Sequence, residues 1–452
     1  MSDYQKYPHG DTSWFQRDRF GMFIHWGLYS MPARHEWIRN REGILDEDYQ
    51  VYFDLFDPDM FDPKEWAASA KKAGMKYFVI TAKHHEGFCL WDSKYTDYKA
   101  TNTPAGRDLL REVIDAFRAE GLKVGIYYSL IDWHHEDFTL DPLHPMVKHG
   151  GLSEDDICEI NSKRDMAKYR QYMYDQITEL LTGYGKIDIL WFDFSYPQIE
   201  NGKGREDWGS EKIIEIIRKL QPWVIIDNRL DLPGASDIVT PEQYTPRRGM
   251  TDDEGNPVVW EGCQTFSGSW GYYRDEMSWK TPELCIQMLI NHVSRGGNML
   301  MNVGPTSRGY FDARAELRLE EFGRWMKYHS RSIYNCTCAP EEFEAPQDCR
   351  YTYNPETGRL YLHIFTWQHK KVVLPGVGDK VRYIQLLNDG SECTFMLKDG
   401  SAGTHMFEKG NPGDIVVLLP DLKPDVAVPV LEIILRKEGE KSSGKKENNQ
   451  FV

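Results

Sequence analysis

The sequence contains no Cys-x-x-Cys pair, no stretch of about 18 apolar residues, no basic stripe and no glycine-rich phosphate loop. Each absence removes a class of function. Eight scattered cysteines (Cys89, Cys158, Cys263, Cys285, Cys336, Cys338, Cys349 and Cys393) disfavour a zinc site and a dense disulfide framework, and reduced thiols are the expectation. Without a long apolar run there is no membrane-spanning helix, and the polar start, residues 1–10, lacks the apolar core of a secretory signal. A soluble, cytoplasmic protein is expected, although a secreted or periplasmic chain whose signal had been removed would leave the same residues. A formal charge of −16, from 54 basic and 70 acidic side chains, argues against a nucleic-acid partner, because phosphate contacts need clustered Lys and Arg. Neither Gly-x-Gly-x-x-Gly after a strand nor a phosphate loop is present, so no nucleotide, flavin or other cofactor is expected.

Aromatic side chains are plentiful. The 14 Trp and 25 Tyr residues suit a cleft that stacks on flat apolar faces such as those of sugar rings, as well as an ordinary core. At 452 residues the chain has room for one domain of barrel size and a smaller second one.

Up to about residue 332, short apolar runs alternate with longer amphipathic stretches, the pattern of repeated βα units. Strands are expected at residues 20–26, 77–83, 123–129, 187–193, 224–229 and 298–303. Helices are expected at 63–74, 109–121, 161–184, 210–221 and 282–296, several closed by glycine. The strands carry few polar residues before their last positions, as strands covered on both faces do. Six visible units favour a (β/α)8-like barrel over an open doubly wound sheet, which would need a glycine-rich turn after its first strand. Beyond about residue 335 the texture changes to short alternating runs separated by Gly, Pro, Asn and Asp, which predicts a small C-terminal antiparallel β-sandwich. The expected division is a catalytic barrel over 1–335, the sandwich over 336–437, which either braces the barrel or binds carbohydrate, and a charged, disordered tail over 438–452.

A barrel builds its active site at the C-terminal ends of its strands. Five successive strand ends are polar here: His25-Trp26-Gly27 with Glu36-Trp37 after it, Lys83-His84-His85-Glu86-Gly87, Tyr127-Tyr128-Ser129, Trp191-Phe192-Asp193 and Asp227-Asn228-Arg229. Any one of these could be a solvated or hydrogen-bonded rim. Five together describe a pocket of neutral donors, an arginine, carboxylates and flat apolar walls, which suits a sugar better than a phosphate or a hydride. Zinc held by His25, His84, His85 and Asp193 is the competing reading. It is disfavoured because no strand carries a His-x-His pair that would aim two rings inward.

The runs Phe20-Gly-Met-Phe-Ile-His-Trp-Gly27, Glu36-Trp37, Lys83-His-His-Glu-Gly87, Gly125-Ile-Tyr-Tyr-Ser129, Asp188-Ile-Leu-Trp-Phe-Asp193, Thr240-Pro-Glu-Gln243, Trp260-Glu-Gly-Cys263, Trp270-Gly-Tyr272 and Gly296-Gly-Asn-Met-Leu-Met-Asn-Val-Gly-Pro305 resemble, in order, those of the α-L-fucosidases of glycoside hydrolase family 29. The resemblance implies a retaining exo-α-L-fucosidase that releases terminal L-fucose from glycans by double displacement, with water as co-substrate and no metal. It implies that His25, Glu36, His84, His85 and Arg229 bind the fucose hydroxyls and ring, with Trp191 and one of Tyr127 or Tyr128, Tyr128 being preferred. Trp26, Trp37 and Tyr272 are candidates for an apolar patch facing the C5 methyl group. Asp193 matches the nucleophile. For the acid/base, Glu242, 13 residues after Arg229, is preferred. Glu261 is the alternative and otherwise a substrate contact, and the acidic loop 252–254 comes third. An exo-α-L-galactosidase on the same scaffold and an inactive fucose-binding protein are the competing functions. The expected partner is a fucosylated glycan, not a nucleic acid or a membrane, and a homo-oligomer is compatible with the sequence.

Overall fold

The structure, a computed structural model, describes residues 7–149, 151–398 and 411–437. Its first part is a curled parallel sheet of seven strands: β1 (Phe20–Ile24), β2 (Tyr77–Lys83), β3 (Lys123–Ser129), β4 (Ile189–Asp193), β5 (Ile225–Ile226), β6 (Glu261–Thr265) and β7 (Asn298–Val303). Their order, β5-β4-β3-β2-β1-β7-β6, leaves β5 and β6 as the free edges. Residues 237–243 fill that gap without forming a regular strand. The amide of Ile238 donates to Ile226 O at 3.2 Å, while Val239 N donates to Val259 O at 3.0 Å, Glu261 N to Val239 O at 2.9 Å and Gln243 N to Cys263 O at 3.0 Å. The barrel-like fold therefore closes through an irregular eighth position, into which Thr240-Pro-Glu-Gln243 falls.

Period two along the strands decides what lies inside. Phe23, Tyr77, Val79, Tyr127, Ile189, Trp191, Ile225, Cys263 and Leu300 form an interior cluster, joined by Ile238 from the irregular segment and plugged at one end by Trp14 and Phe15. Their sequence neighbours face the helices. The long helix Met166–Gly183, for example, packs Tyr169, Met173, Ile177 and Leu180 into the outer layer. Six strands lie where the sequence predicts them. Elements not expected include β6, the 17-residue helix Ala313–His329 and the shorter helices Asp46–Asp54 and Glu154–Asn161.

The C-terminal part is antiparallel, as expected. Strands β8 (Cys349–Asn354), β9 (Arg359–Ile364), β10 (Lys371–Leu374), β11 (Val381–Leu386), β12 (Phe395–Leu397), β13 (Ile415–Leu418) and β14 (Val430–Leu435) form sheets ordered β11-β14-β9-β8 and β10-β13-β12. Leu360, Leu362, Val372, Leu374, Ile415, Val417 and Ile433 fill a core of their own. The two parts meet at the helix Ala313–His329, where Trp325 Nε1 donates to Val428 O at 2.8 Å. The expected tail, residues 438–452, lies outside the described residues. Among the described residues no helix is long and apolar enough to cross a membrane.

Candidate active site

Asp193 ends β4 with its carboxylate in the mouth of the barrel. Tyr127 OH donates to Oδ2 at 2.7 Å, and Arg229 Nη1 donates to Oδ1 at 3.0 Å. The same guanidinium donates through Nη2 to Glu242 Oε2 at 3.2 Å, so one planar fork holds two carboxylates. Arg229 is held in turn. Its Nε donates to Thr240 Oγ1 at 3.2 Å, and its guanidinium carbon lies 5.0 Å from the centre of the Trp191 ring. Trp191 stacks on Tyr127 at 5.6 Å, and this closes the pocket wall. Burial pushes the Asp193 carboxyl up to about 6; Arg229 pulls against that and the charge of Glu242 adds to it.

Three histidines surround this pair. His25, His84 and His85 are buried, and desolvation lowers all three, His84 to about 3, so the rings are neutral at neutral pH. Two of the rings have hydrogen-bond roles that follow from their partners. Ser129 Oγ donates to Ile131 O and so receives the proton of His85 Nδ1 at 2.7 Å. Asn302, assigned with its amide nitrogen donating to Trp270 O, receives that of His25 Nδ1 at 2.7 Å. Each ring then presents a bare Nε2. That of His85 lies 3.8 Å from Asp193 Oδ2, two acceptors facing one another across a gap that a hydroxyl hydrogen would bridge.

Glu36 supplies a third buried carboxyl. Its Oε2 accepts from Gly271 N at 2.8 Å and Trp270 N at 3.1 Å, while buried Oε1 lies 3.0 Å from His35 Nδ1. Desolvation raises it to about 7. The close approach explains Gly271, whose missing Cβ would lie 3.1 Å from that of Glu36 and 2.9 Å from the Tyr29 ring. Above the pocket opens a cleft of about 610 Å³ lined by Glu36, Trp37, Phe194, Arg229, Glu242 and Trp270, among others. Three non-glycine residues of its lining, His35 (φ 104°), Phe194 (φ 76°) and Gln243 (φ 49°), have left-handed backbones, which turn the chain sharply beside Glu36, Asp193 and Glu242.

Of the residues singled out from sequence, His25, Glu36, Trp37, His84, His85, Trp191, Asp193, Arg229 and Glu242 come together. Trp26, Tyr128 and Glu261 do not. Trp26 faces away from the interior and is buried with Phe61 (5.0 Å), Trp66 (5.1 Å) and Phe56 (5.6 Å). Tyr128 also faces the helices, where its hydroxyl donates to Gln176 Oε1 at 2.7 Å and Lys83 Nζ lies over its ring; Tyr127 is the pocket tyrosine. Glu261 is the first residue of β6, level with Asn298 at the start of β7, so it lies at the opposite end of the barrel from the mouth. There it accepts a short hydrogen bond from Tyr77 OH, and burial raises it to about 7. Tyr272 lies outside the cleft lining, with Asp312 and Arg314 as electrostatic neighbours. The 252–254 loop spends Asp252 on its own turn, accepting from Asn256 N at 2.7 Å. Sequence reasoning gave no role to Phe194, Asn302 or Ser129, although Ser129 closes one of the polar strand ends and Asn302 is a polar residue near the end of a largely apolar strand.

Among the described residues no three His, Cys, Asp or Glu side chains are gathered as a metal-binding group, and none of the eight cysteines is disulfide-bonded.

A family model for α-L-fucosidase matches residues 3–331. The chain belongs to the α-L-fucosidase family. It is similar to human plasma α-L-fucosidase, at 28% identity over 425 residues and 84% of both chains. Among solved structures it is similar to α-L-fucosidase isoenzyme 1 from Paenibacillus thiaminolyticus, with a TM-score of 0.85 and 43% identity over 97% of this chain and 100% of that one. It is also similar to the trapped covalent intermediate of a family 29 α-L-fucosidase from Bacteroides thetaiotaomicron, with a TM-score of 0.78 and 28% identity over 94% and 95% of the two chains.

Proposed function

We propose that Asp193 is the nucleophile and Glu242 the acid/base of a retaining exo-α-L-fucosidase. The chain is a glycoside hydrolase acting on fucosylated glycans. The observation that carries the assignment is the Arg229 fork, which grips one carboxylate at the floor of the pocket and the other at its rim.

In the first step Asp193 attacks the anomeric carbon while protonated Glu242 gives its proton to the departing glycosidic oxygen, leaving a fucosyl ester of inverted configuration on Asp193. In the second, Glu242, now a carboxylate, takes a proton from water as that water attacks the same carbon and frees Asp193, and the two inversions give retention. The bare Nε2 atoms of His25 and His85 accept from sugar hydroxyls, and Glu36, raised toward neutrality, lines the cleft as a further hydrogen-bonding group for one of them. A pocket walled by Trp191, Trp37 and Phe194 beside these polar groups suits one terminal deoxysugar with an apolar methyl group.

The test is azide rescue on an activated aryl α-L-fucoside. Asp193→Gly should lose at least about a thousandfold in kcat and be rescued by azide with formation of the β-fucosyl azide, whereas rescued Glu242→Gly should form the α-azide. A Glu242→Gly enzyme that hydrolyses both activated and unactivated fucosides at the parent rate would remove Glu242 from the role.

A further inference from the structure

The wall of the cleft opposite Glu242 is cationic, against the trend of a chain whose formal charge is −16. It is built from residues 35–41 and 142–148. Asn40 ties the two segments together, donating from Nδ2 to Leu143 O at 2.5 Å and accepting from Lys148 Nζ at 2.9 Å through Oδ1. Lys148 therefore stands beside the helix Ile38–Arg41, whose last residue, Arg41, also lines the cleft. Both side chains are solvent-exposed. Among the described residues neither has an ion-pair partner, and the Arg41 guanidinium makes no side-chain hydrogen bond.

The carboxylates nearby do not neutralise this wall. Asp193 and Glu242 share Arg229, and Glu36 is buried beneath the cleft with its charge suppressed by desolvation. Glu276, behind Gly268, accepts from Ser278 N, and its charge reaches His35, which leaves one anion against the two cations of the wall. The sugar-binding histidines lie deeper, so the open cleft between Glu242 and this wall is where the leaving group must sit.

We infer that the leaving-group site selects fucosides whose aglycone carries an anionic group, a sialic acid carboxylate or a sulfate ester, which Arg41 and Lys148 receive. This rests on the assignment of the pocket to fucose and of Glu242 to the leaving-group side. Two exposed ion pairs of ordinary strength raise kcat/KM for such an aglycone by about threefold to tenfold at low ionic strength. The preference decays with salt, because both cations are exposed to solvent.

The experiment compares a neutral fucosylated lactosamine with its sialylated and sulfated counterparts, in 50 mM and 500 mM NaCl. The parent enzyme, Arg41→Gln, Lys148→Gln and the double variant are each checked for an unchanged melting temperature, and an aryl α-L-fucoside serves as control. The expected result is an anionic-to-neutral ratio of kcat/KM above one for the parent at low salt, falling toward one at high salt and in the double variant. Whether the sialylated or the sulfated substrate gains identifies the anion. A ratio at or below one, or one the double variant leaves unmoved, overturns the inference while cleavage of the aryl fucoside leaves the fucosidase assignment standing. Failure to cleave even the aryl fucoside overturns both.

Discussion

Replacing Arg229 by glutamine removes the cation that grips both Asp193 and Glu242 while leaving an amide that can still hydrogen-bond. At 3.0 Å and an effective dielectric constant of about 20, the Arg229–Asp193 attraction is on the order of 5 kcal/mol before screening. Arginine neighbours typically hold an aspartate down by about one to three pKa units, or roughly 1.4 to 4 kcal/mol. The Asp193 carboxyl already stands at about 6 because it is desolvated, and the nucleophile must be ionised to attack. Without Arg229 its pKa rises further, so the acidic limb of the kcat/KM profile for an aryl α-L-fucoside moves to higher pH by about one to three units. Glu242→Gln acts with the opposite sign. It deletes a negative neighbour that raises Asp193, so the acidic limb moves to lower pH, and by less, since Glu242 is 46% exposed and its charge is screened. Both measurements concern the position of the limb, which a general loss of amplitude does not shift. A limb that stays in place in Arg229→Gln, or that moves the same way in both variants, refutes the electrostatic account of the pair.

Four further variants probe the residues that the structure places outside the pocket, and Tyr127, which it places inside. Glu261→Gln should keep fucoside hydrolysis, because Glu261 sits at the far end of the barrel from the mouth. Its folded pKa, about 7, lies above the 4.5 of an unperturbed glutamate, so the ionised form weakens folding as pH rises through that interval; Glu261→Gln should therefore raise the melting temperature at pH 8 and not at pH 4. Tyr127→Phe removes a donor to Asp193 and should lower kcat while shifting the acidic limb up. Tyr128→Phe strands Gln176 Oε1 and should instead cost about 1 to 3 kcal/mol of stability, read by urea unfolding, with kcat kept. Trp26→Ala should destabilise by about 3 to 5 kcal/mol as a core cavity, and a rise in KM without loss of stability would return Trp26 to the pocket.

The barrel was legible because its strands are apolar until their last residues, and the polar ends of β1 to β5 lie at the mouth where His25, His84, Asp193 and Arg229 are found. What failed was resolution to a single residue. Trp26 and Tyr128 each neighbour a pocket residue, and a one-residue step along a strand reverses the face, so motif membership could not tell His25 from Trp26 or Tyr127 from Tyr128. β6 escaped notice because Glu261-Gly-Cys-Gln-Thr265 is polar in sequence and buried in the fold, with Glu261 Oε2 bonded to Tyr77 across the barrel. Glu261 was misjudged for the same reason: with the strand unseen, nothing showed that this carboxylate opens β6 instead of closing it. The left-handed backbones at His35, Phe194 and Gln243 have no local signature, because the surrounding packing imposes them.

The contrast between the two carboxylates follows from the elements that carry them. Asp193 ends a regular strand hydrogen-bonded on both sides, with its carboxylate fixed by Tyr127 and Arg229, as suits a nucleophile that meets the same anomeric carbon in every substrate. Glu242 rides on the irregular eighth position, held to β6 by isolated bridges and open to solvent, as suits an acid that must reach leaving groups of different shapes. A regular strand there would have pointed alternate residues inward and outward at fixed heights; the irregular segment sends Ile238 into the interior, Thr240 to Arg229 and Glu242 to the rim within five residues. Arg229 couples the fixed half to the adaptable one. Stiffening the segment should therefore narrow the range of leaving groups before it slows the attack of Asp193, and burst kinetics with a series of aryl fucosides of graded leaving-group acidity would separate the two steps.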